Sequence, residues 1–268
     1  VKIIEKKYKV WYNISKKRKI RGETMIIAYA KSDVGKVREM NQDSYYISDS
    51  LSEVKLYLLA DGMGGYKGGE IASNLAIKCA RSYIENNFKE TPKDRQSLIQ
   101  LVASSMEYAN MVVYEKSKED KELEGMGTTL EVCLIYNNKA YIGHIGDSRI
   151  YRIRKDFIRK LTQDHSYVQK LVKDGTITKE EAEHHPKKNM LMKALGCNAF
   201  VEPDVSVKGF LREDILLMTS DGLTNMVKQE DIFKIAKGNI EKAPIKLVEL
   251  ANENGGLDNI TVVVIKNI

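Results

Sequence analysis

The chain has 268 residues, of which 43% are hydrophobic, and this is enough for one large domain with an extensive core. No run of about 18 apolar residues occurs, so we expect no membrane span, and the charged first residues lack the apolar stretch of a signal peptide. The cysteines Cys79, Cys133 and Cys197 are widely spaced and odd in number. This pattern predicts free thiols in a reducing cytoplasm.

The net charge of +6 is concentrated at the N-terminus. Residues 1–24 hold nine of the 43 basic residues and two of the 37 acidic ones, so the rest of the chain is nearly neutral. A neutral body argues against nucleic-acid binding, which depends on Lys and Arg neutralising phosphates, and leaves it only to the basic segment. We expect residues 1–24 to be a basic extension, either a linker or a non-native segment, and the folded domain to begin at Met25.

Strand-like segments alternate with longer amphipathic ones after Met25. Three strands are predicted in MIIAYAKS, DSYYISDS and VKLYLLAD. Apolar residues then recur at helical spacing over about 69–87 and again over about 94–118, which predicts two long helices. Four further strands follow in TTLEVCLIY, KAYIGHIGD, RIYRIR and FIRKLT, and Asn137-Asn138 predicts a hairpin turn between the first two.

The C-terminal part begins with a charged helical insertion over about 165–190, in which Thr178 is the predicted start of a helix. Strands are predicted in DVSVKGF, DILLMTSD and DNITVVVIK, and helices in KQEDIFKIA and IEKAPIKLVELANEN, the second bent near Pro244. Consecutive strands with short turns indicate antiparallel sheets, and the two separate helix groups indicate outer layers. We therefore predict an α+β fold, a four-layer α/β/β/α sandwich with two mainly antiparallel sheets face to face.

Acidic residues stand at the tips of five apolar strands. Each alone is a common turn or capping residue. If the tips converge at one rim, however, the carboxylates repel one another and need a cation, and an all-oxygen ligand set suits Mg²⁺ or Mn²⁺. The segment LLADGMGGYKGGE (58–70) leaves a phosphate loop, a metal site and a simple sharp turn open as interpretations. The five acids are Asp43, Asp61, Asp147, Asp221 and Asp258.

Seven motifs carry a resemblance to a known family. They are, in chain order, VREMNQD (37–43), LLADGMGG (58–65), GMGTTL (125–130), GHIGDSRIY (143–151), DHS (164–166), LMTSDGL (217–223) and GGLDNITVVVI (255–265). No single motif is specific, but their order is, and together they resemble the metal-dependent protein phosphatases of type 2C in their short bacterial form. The resemblance extends over residues 25–268, which it marks as the catalytic domain, with the insertion over about 165–190 as a mobile flap.

The resemblance implies a dimetal site of Mn²⁺ or Mg²⁺ in the channel between the two sheets. It implies that Asp61 bridges both ions and that the backbone oxygen of Gly62 binds the second. Asp221 and Asp258 would complete the first site, and Asp43 would hold metal-bound water.

Two further positions match the family pattern. Asp147 would join Asp221 at a third, weaker metal site, and Arg38, five residues before Asp43, would bind the phosphate. A planar guanidinium suits such bidentate recognition. Arg149 is expected to be a structural ion-pair partner, and His165 to brace a loop.

The implied activity is hydrolysis of phosphoserine and phosphothreonine in proteins by metal-activated water, reversing a bacterial serine/threonine kinase in the cytoplasm. The implied partners are phosphorylated proteins, including such a kinase and its substrates, and we expect a monomer. One alternative is a phosphatase of an anti-sigma-factor antagonist in a stress or sporulation switch. Another is a non-catalytic sensor of the same fold, which the intact set of acids argues against.

Three positions depart from the family pattern. Eukaryotic members often have histidine where Met63 stands, and bacterial members often have histidine where Tyr66 stands. Gln42 replaces a glutamate that often precedes the equivalent of Asp43 in eukaryotic members. The identity of any acid that protonates the leaving group therefore stays open.

Overall fold

A computed structural model describes residues 25–119 and 121–268 of the chain. The basic extension predicted for residues 1–24 lies outside the described residues, and the boundary predicted at Met25 stays a prediction. In the described part, no helix combines the length and the apolar character needed to cross a membrane.

Eleven strands and seven α-helices form the described part, with a short 3-10 turn at Lys121–Leu123. The strands are β1 (Ile26–Asp33), β2 (Asp43–Ile47), β3 (Lys55–Met63), β4 (Gly127–Thr128), β5 (Leu130–Tyr136), β6 (Lys139–Ile145), β7 (Arg149–Arg154), β8 (Phe157–Lys160), β9 (Asp204–Gly209), β10 (Ile215–Thr219) and β11 (Ile260–Asn267). The helices are α1 (Gly65–Asn87), α2 (Arg95–Glu119), α3 (Tyr167–Lys173), α4 (Lys179–His184), α5 (Asp221–Thr224), α6 (Gln229–Lys237) and α7 (Ala243–Glu253).

The strands form two sheets whose neighbouring strands all run antiparallel. One sheet has the order β1-β11-β10-β7-β8, and the other has the order β2-β3-β5-β6-β9, with β4 pairing to β3. The tight turn between β5 and β6 holds Asn137 and Asn138 at φ values of 46° and 56°. Two successive left-handed residues match the right-handed twist of the strands, so the predicted hairpin is confirmed.

Side-chain alternation along β3 explains how four layers assemble. Leu56 and Leu58 pack into a cluster with α1 and α2, while Tyr57 and Leu59 point to the other side and meet the second sheet. All four are almost fully buried. Burial of each such side chain contributes about 1.5–3 kcal/mol, so both faces of the strand contribute to stability.

The β11 strand repeats this arrangement in the other sheet. Val262 and Val264 pack against α5–α7, and Val263 faces the inter-sheet core. Three apolar clusters therefore separate four layers: α1 and α2, one sheet, the second sheet, and α5–α7. The predicted α/β/β/α sandwich is confirmed.

Local details differ from the sequence-based expectations at three helices. The first helix begins at Gly65, four residues before the predicted start. Helix α7 begins only at Ala243, so Pro244 lies in its first turn, where the missing N–H of proline has no helical partner to lose, and not in the helix interior where a bend was predicted. Helix α5 was not predicted, since it is only four residues long.

The charged insertion folds as two short helices, α3 and α4. Thr178 caps α4 as predicted, with reciprocal hydrogen bonds to Glu181 in a capping box. An isolated antiparallel bridge between Ser166 and Leu191 closes the base of the insertion. The insertion is therefore fixed at its base, and its helices project from that point.

Candidate active site

The β2 and β3 strands bring two aspartates face to face. Asp43 is the first residue of β2 and is the direct partner of Asp61 in the antiparallel ladder. Asp61 does not end its strand as predicted, because β4 extends the pairing to Met63. Like charges directly opposite each other are destabilising in a sheet, so this pair of acids serves no purpose in stabilising the fold.

The other three predicted acids come from both sheets. Asp147 lies two residues after β6, Asp221 is the first residue of α5 after β10, and Asp258 lies two residues before β11. Together with Asp61, they line one cleft of about 530 Å³, which Arg38 also lines. The cleft thus gathers four of the five predicted acids, and Asp43, the ladder partner of Asp61, does not line it.

Burial and mutual repulsion raise the pKa values of these carboxyl groups. Loss of hydration is the largest cause for Asp61, whose pKa lies well above its usual range, and the charges of Asp43, Asp221, Asp147 and Asp258 raise it further. Burial likewise raises the pKa of Asp43 and that of Asp147 to about 7, and Asp221 adds to both shifts. Asp221 itself has a raised pKa through burial and the charge of Asp258. These groups therefore form one electrostatic cluster that a cation would stabilise.

Three of the acids accept hydrogen bonds from side chains. Ser220 Oγ donates to Oδ2 of Asp43 over 2.7 Å, and Asn225 Nδ2 donates to Oδ2 of Asp221 over 3.0 Å. Arg38 Nη2 donates to Oδ2 of Asp258 over 2.8 Å. With the side chains so arranged, no three His, Cys, Asp or Glu groups within residues 25–119 and 121–268 stand at the spacing of a metal site.

The residues nevertheless fit a hard divalent cation by their chemistry. All donors predicted for the ions are oxygens, as Mg²⁺ and Mn²⁺ prefer. In addition, Oδ1 of Asp43 is buried and has no hydrogen-bond partner among the described residues. A buried carboxylate oxygen without a partner is costly, and a metal ion or its hydration shell would satisfy it.

Two glycines shape the turn that follows Asp61. A Cβ at Gly62 would lie 2.0 Å from the backbone oxygen of Gly69, so the strand and the start of α1 could not approach each other with any larger residue. Gly64 has φ of +117°, and a Cβ there would lie 2.5 Å from Cα of Met126. The glycines therefore allow a sharp turn and close packing. Their presence after Asp61 is explained by this geometry without a phosphate-binding loop.

Hydrogen bonds with Thr128 and Thr129 hold the backbone of Asp61 in place. Thr129 Oγ1 accepts from the N–H of Asp61 over 2.9 Å, and the N–H of Thr129 donates to the Asp61 oxygen over 2.9 Å. Thr128 Oγ1 also donates to the same oxygen. These threonines lie in one of the motifs, but sequence reasoning could not assign them this role, because their hydrogen bonds to Asp61 span 67 or 68 positions.

The loop after Asp147 is braced as expected. Arg149 donates to both carboxylate oxygens of Asp164, with distances of 2.6–3.2 Å. His165 Nδ1 accepts from the N–H of Gly146 over 3.1 Å, directly before Asp147. The structural roles predicted for Arg149 and His165 agree with these contacts.

A larger groove continues from the cleft beneath the flap. It has a volume of about 1040 Å³ and shares Asp147 and Asp221 with the acidic cleft. The flap helices form one wall and the start of α6 the other, and the basic residues Lys160, Lys179 and Lys228 line it. A long substrate could therefore extend from the acids along the flap.

Comparison with known proteins agrees with this arrangement. A family described as protein phosphatase 2C matches residues 36–237. A Listeria innocua protein named serine/threonine phosphatase stp is 37% identical over 240 residues, which are 88% of this chain and 94% of that protein.

The chain belongs to the protein phosphatase 2C family. The crystal structure of the serine/threonine phosphatase Stp1 from Staphylococcus aureus superimposes with a TM-score of 0.84 at 35% identity, covering 91% of this chain and 95% of that one. The catalytic domain of the phosphatase PstP, solved with two manganese ions, superimposes with a TM-score of 0.80 at 35% identity, covering 92% of this chain and all of that domain. The identification of a type 2C phosphatase from its motifs, and the expectation of an enzyme, are confirmed.

Met63 is one of the positions at which the sequence departs from the family pattern. Its side chain lies toward Gly127, on the same side as Cys197, since both side chains would contact a Cβ placed on that glycine. A thioether has no proton to donate. The cysteines Cys79 and Cys133 are buried, Cys197 is exposed, and none forms a disulfide.

Proposed function

We propose that this phosphatase hydrolyses phosphoserine and phosphothreonine esters in proteins, with two Mn²⁺ or Mg²⁺ ions held by the aspartates of the cleft. The observation that carries the proposal is the convergence of aspartates from both sheets on one cleft that Arg38 also lines. Relatives named serine/threonine phosphatase and the two manganese ions of PstP support it.

In this proposal the aspartates divide the task of holding the ions. Asp61 would contact both ions, and the backbone oxygen of Gly62 would bind the second. Asp221 and Asp258 would complete the first site, and Asp43 would hold metal-bound water. When bound, such ions activate water for in-line attack and neutralise charge on the phosphoryl group. Asp147, which shares both the cleft and the groove with Asp221, would help to hold a third ion.

Arg38 binds and orients the phosphate in this proposal. Its side chain is 54% exposed, so the guanidinium can turn toward a phosphoryl group without leaving a buried position. A planar guanidinium donates two parallel hydrogen bonds to phosphate oxygens, which fixes the angle of the scissile bond. Met63 supplies no proton to the leaving alkoxide, so metal-bound water would serve as the acid, or the reaction would need none.

The flap and the groove beneath it would accommodate the protein substrate. The base of the flap is held by the Ser166–Leu191 bridge and by the N–H of Tyr167, which donates to the oxygen of Met190. With the base so held, helices α3 and α4 would approach or withdraw while the aspartates stay in place. We propose that residues 165–190 gate access and contact the polypeptide around the phosphorylated residue.

The cellular setting is part of the same proposal. The substrates would be proteins phosphorylated by a bacterial serine/threonine kinase, including the kinase, and the enzyme would act as a monomer in the cytoplasm, where its three unpaired cysteines stay reduced. Residues 25–268 would form the catalytic domain. An anti-sigma-factor antagonist as substrate remains the second enzymatic candidate.

A phosphate-release assay tests the proposal. Phosphoserine, phosphothreonine and phosphotyrosine peptides would be compared with Mn²⁺, with EDTA and with the Asp221→Asn variant. We expect turnover of the first two peptides with Mn²⁺, and loss of turnover with EDTA or in the variant. Turnover that persists in EDTA would contradict the metal mechanism, and tight peptide binding without turnover in Mn²⁺ would favour a non-catalytic sensor.

A further inference from the structure

We propose that Asn259 is a positioning residue that holds the Arg38 loop in register with the metal-binding aspartates. The inference deepens the proposed function, because it rests on the phosphate-binding role of Arg38. The loop in question, residues 34–42, joins β1 to β2 and contains no helix or strand of its own. Its geometry therefore depends on contacts with the rest of the protein.

The side-chain amide of Asn259 bonds the loop at both of its ends. Nδ2 donates to the oxygen of Val34 and to the oxygen of Met40, each over 2.9 Å. Oδ1 accepts from the N–H of Gln42 over 2.8 Å. Arg38 lies between these anchor points, so one buried side chain spans the segment that carries it.

Only an amide of this length satisfies all three groups at once. Two carbonyl oxygens need two donors, and a backbone N–H needs an acceptor, which is the inventory of an asparagine side chain. Asn259 is 5% exposed, so water cannot readily replace these bonds. A buried hydrogen bond that loses one partner leaves a desolvated group, and this costs more than the bond contributes when intact.

Additional contacts join the same loop to the segment before β11. The N–H of Lys36 donates to the oxygen of Gly256 over 2.8 Å. Gly35 has φ of +83°, and a Cβ there would lie 2.3 Å from the oxygen of Asp258. The loop therefore packs directly on the backbone of residues 256–259, and Arg38 reaches the carboxylate of Asp258 from this platform.

The backbone of Asn259 also touches the start of α5. A Cβ at Gly222 would lie 2.0 Å from the Asn259 oxygen, so the helix that begins with Asp221 is packed against this residue. Asn259 thus lies between the elements that carry Asp221, Asp258 and Arg38. Its side chain sets the distance between the phosphate-binding guanidinium and the proposed metal ligands.

A double-mutant cycle tests the inference. Phosphopeptide kinetics and competitive inhibition by inorganic phosphate would be measured for the parent, Asn259→Ala, Arg38→Ala and the double variant, all with saturating Mn²⁺. We expect Asn259→Ala to raise KM and the phosphate inhibition constant about 10-fold, since a displaced Arg38 loses its bonds to phosphate. In the Arg38→Ala background the same change should add less than about 2-fold, because the residue through which it acts is gone.

The matched control is Asn110→Ala. Asn110 is buried and makes the same three kinds of bond, donating to the oxygens of Asn198 and Ala199 and accepting from the N–H of Gly196. Its loss should lower Tm about as much as the loss of Asn259, without raising the phosphate inhibition constant. If Asn259→Ala folds poorly, Asn259→Ser replaces it in the same cycle. The serine side chain is too short to bond Val34, Met40 and Gln42 at once.

The outcomes separate this inference from the proposed function. If Arg38→Ala leaves KM and phosphate inhibition unchanged, the role proposed for Arg38 fails and the inference falls with it. A second result would be that Arg38→Ala raises KM and the phosphate inhibition constant while Asn259→Ala has the same fold effect in the Arg38→Ala background as in the parent. That result would overturn the positioning role and leave the proposed function standing. Calorimetric Mn²⁺ affinity should stay within about 2-fold in the Asn259 variants, and a larger loss would mean that Asn259 acts through Asp258 instead.

Discussion

Arg38 forms an ion pair with Asp258, its Nη2 donating to Oδ2 over 2.8 Å across 220 positions of sequence. The hydrogen bond, and then the charge of Asp258, raise the pKa of the guanidinium. One partner is proposed to bind a phosphate and the other a metal ion. A metal ion held by Asp258 would compete with Arg38 for the carboxylate and would free the guanidinium to bind a phosphate. Binding of the metal ion and binding of the phosphate would therefore be coupled.

Replacement of Arg38 by alanine should separate the two roles. We expect kcat/KM for a phosphoserine peptide to fall about 10–100-fold, the range for loss of hydrogen bonds to a charged group. Mn²⁺ affinity should stay equal or increase, because Asp258 loses its competing partner. Steady-state kinetics and calorimetry measure the two effects.

Arg81→Ala is the control for a general loss of positive charge. Arg81 is an exposed arginine on α1 that donates to both oxygens of Glu85. Its loss should change neither kcat/KM nor Mn²⁺ affinity, because Arg81 lines neither the cleft nor the groove, and an exposed ion pair of this kind contributes little to stability. Weaker Mn²⁺ binding in Arg38→Ala would show that the arginine holds Asp258 in place for the metal and does not compete with it.

Substitution of Asp61 by asparagine should stabilise the metal-free protein and abolish activity. Asp61 faces Asp43 across the ladder and is buried among carboxylates, so its neutral isostere removes repulsion at little cost in shape. We expect Tm in EDTA at pH 7.5 to rise by a few degrees, as roughly 2–4 °C corresponds to 1 kcal/mol in domains of about this size. Added Mn²⁺ should raise Tm of the parent but much less that of the variant.

Differential scanning calorimetry provides the measurement, with Asp156→Asn as the control. Asp156 is an exposed acid paired with Lys237, and its removal should not increase Tm. A lower Tm for Asp61→Asn in EDTA would argue that Asp61 stabilises the fold, contrary to its placement among like charges.

The architecture and the identity of the aspartates could be predicted because both depend on short, local sequence patterns. Alternation in LYLLAD places Leu56 and Leu58 on one face of β3, and the motif order fixes the family. The hydrogen bonds that hold the loops around these aspartates could not be predicted in this way. Asn259 bonds to residues more than 200 positions away, and only the assembled sheets bring them together.

The predicted starts of two helices are wrong for a different physical reason. The first turn of α1 contains several glycines and almost no apolar periodicity, so hydrophobic spacing placed the start too late. Its true start is set by the close approach of Gly64 to Met126, a tertiary contact. The predicted bend at Pro244 is wrong because the helix begins one residue before it, a boundary that the sequence does not mark.

Substitution of Gly64 by alanine should damage both stability and activity. The residue has a positive φ, which costs about 1–2 kcal/mol for a residue with a Cβ, and the added atom would also meet the backbone of Met126 at 2.5 Å. Gly175→Ala is the matched control, since Gly175 has φ of +71° with no atom within 4 Å of the added Cβ. We expect a markedly lower Tm for Gly64→Ala than for the control.

Activity should follow the same order as stability in this pair. A shift of the turn at Gly64 moves Asp61 and Gly62 within the cleft, whereas Gly175 lies in the flap between α3 and α4. Phosphopeptide turnover with Mn²⁺ measures the difference. Equal effects of the two substitutions on both properties would mean that backbone conformation alone matters and that the contact with Met126 does not constrain the site.

Asp164 should govern part of the acid stability of the enzyme. Burial opposes its ionisation, but Arg149 and then Lys160 outweigh that effect and lower the pKa of the carboxyl group. A carboxyl group with a depressed folded-state pKa contributes stability that is fully present above its unfolded pKa of about 3.9. That contribution is lost as pH falls through the folded-state pKa.

We therefore expect Asp164→Asn to lower the free energy of unfolding by about 3 kcal/mol at pH 7, because it leaves two partly buried cations without a counter-charge. The deficit should shrink below about pH 4, where Asp164 becomes protonated in the unfolded chain while it is still ionised in the folded parent. Urea denaturation in EDTA from pH 7 to pH 3 measures this, with the exposed pair of Asp231 and Lys234 as the control through Asp231→Asn. A deficit that stays constant down to pH 3 would mean that Asp164 stabilises the loop through its shape and hydrogen bonds, not through its charge.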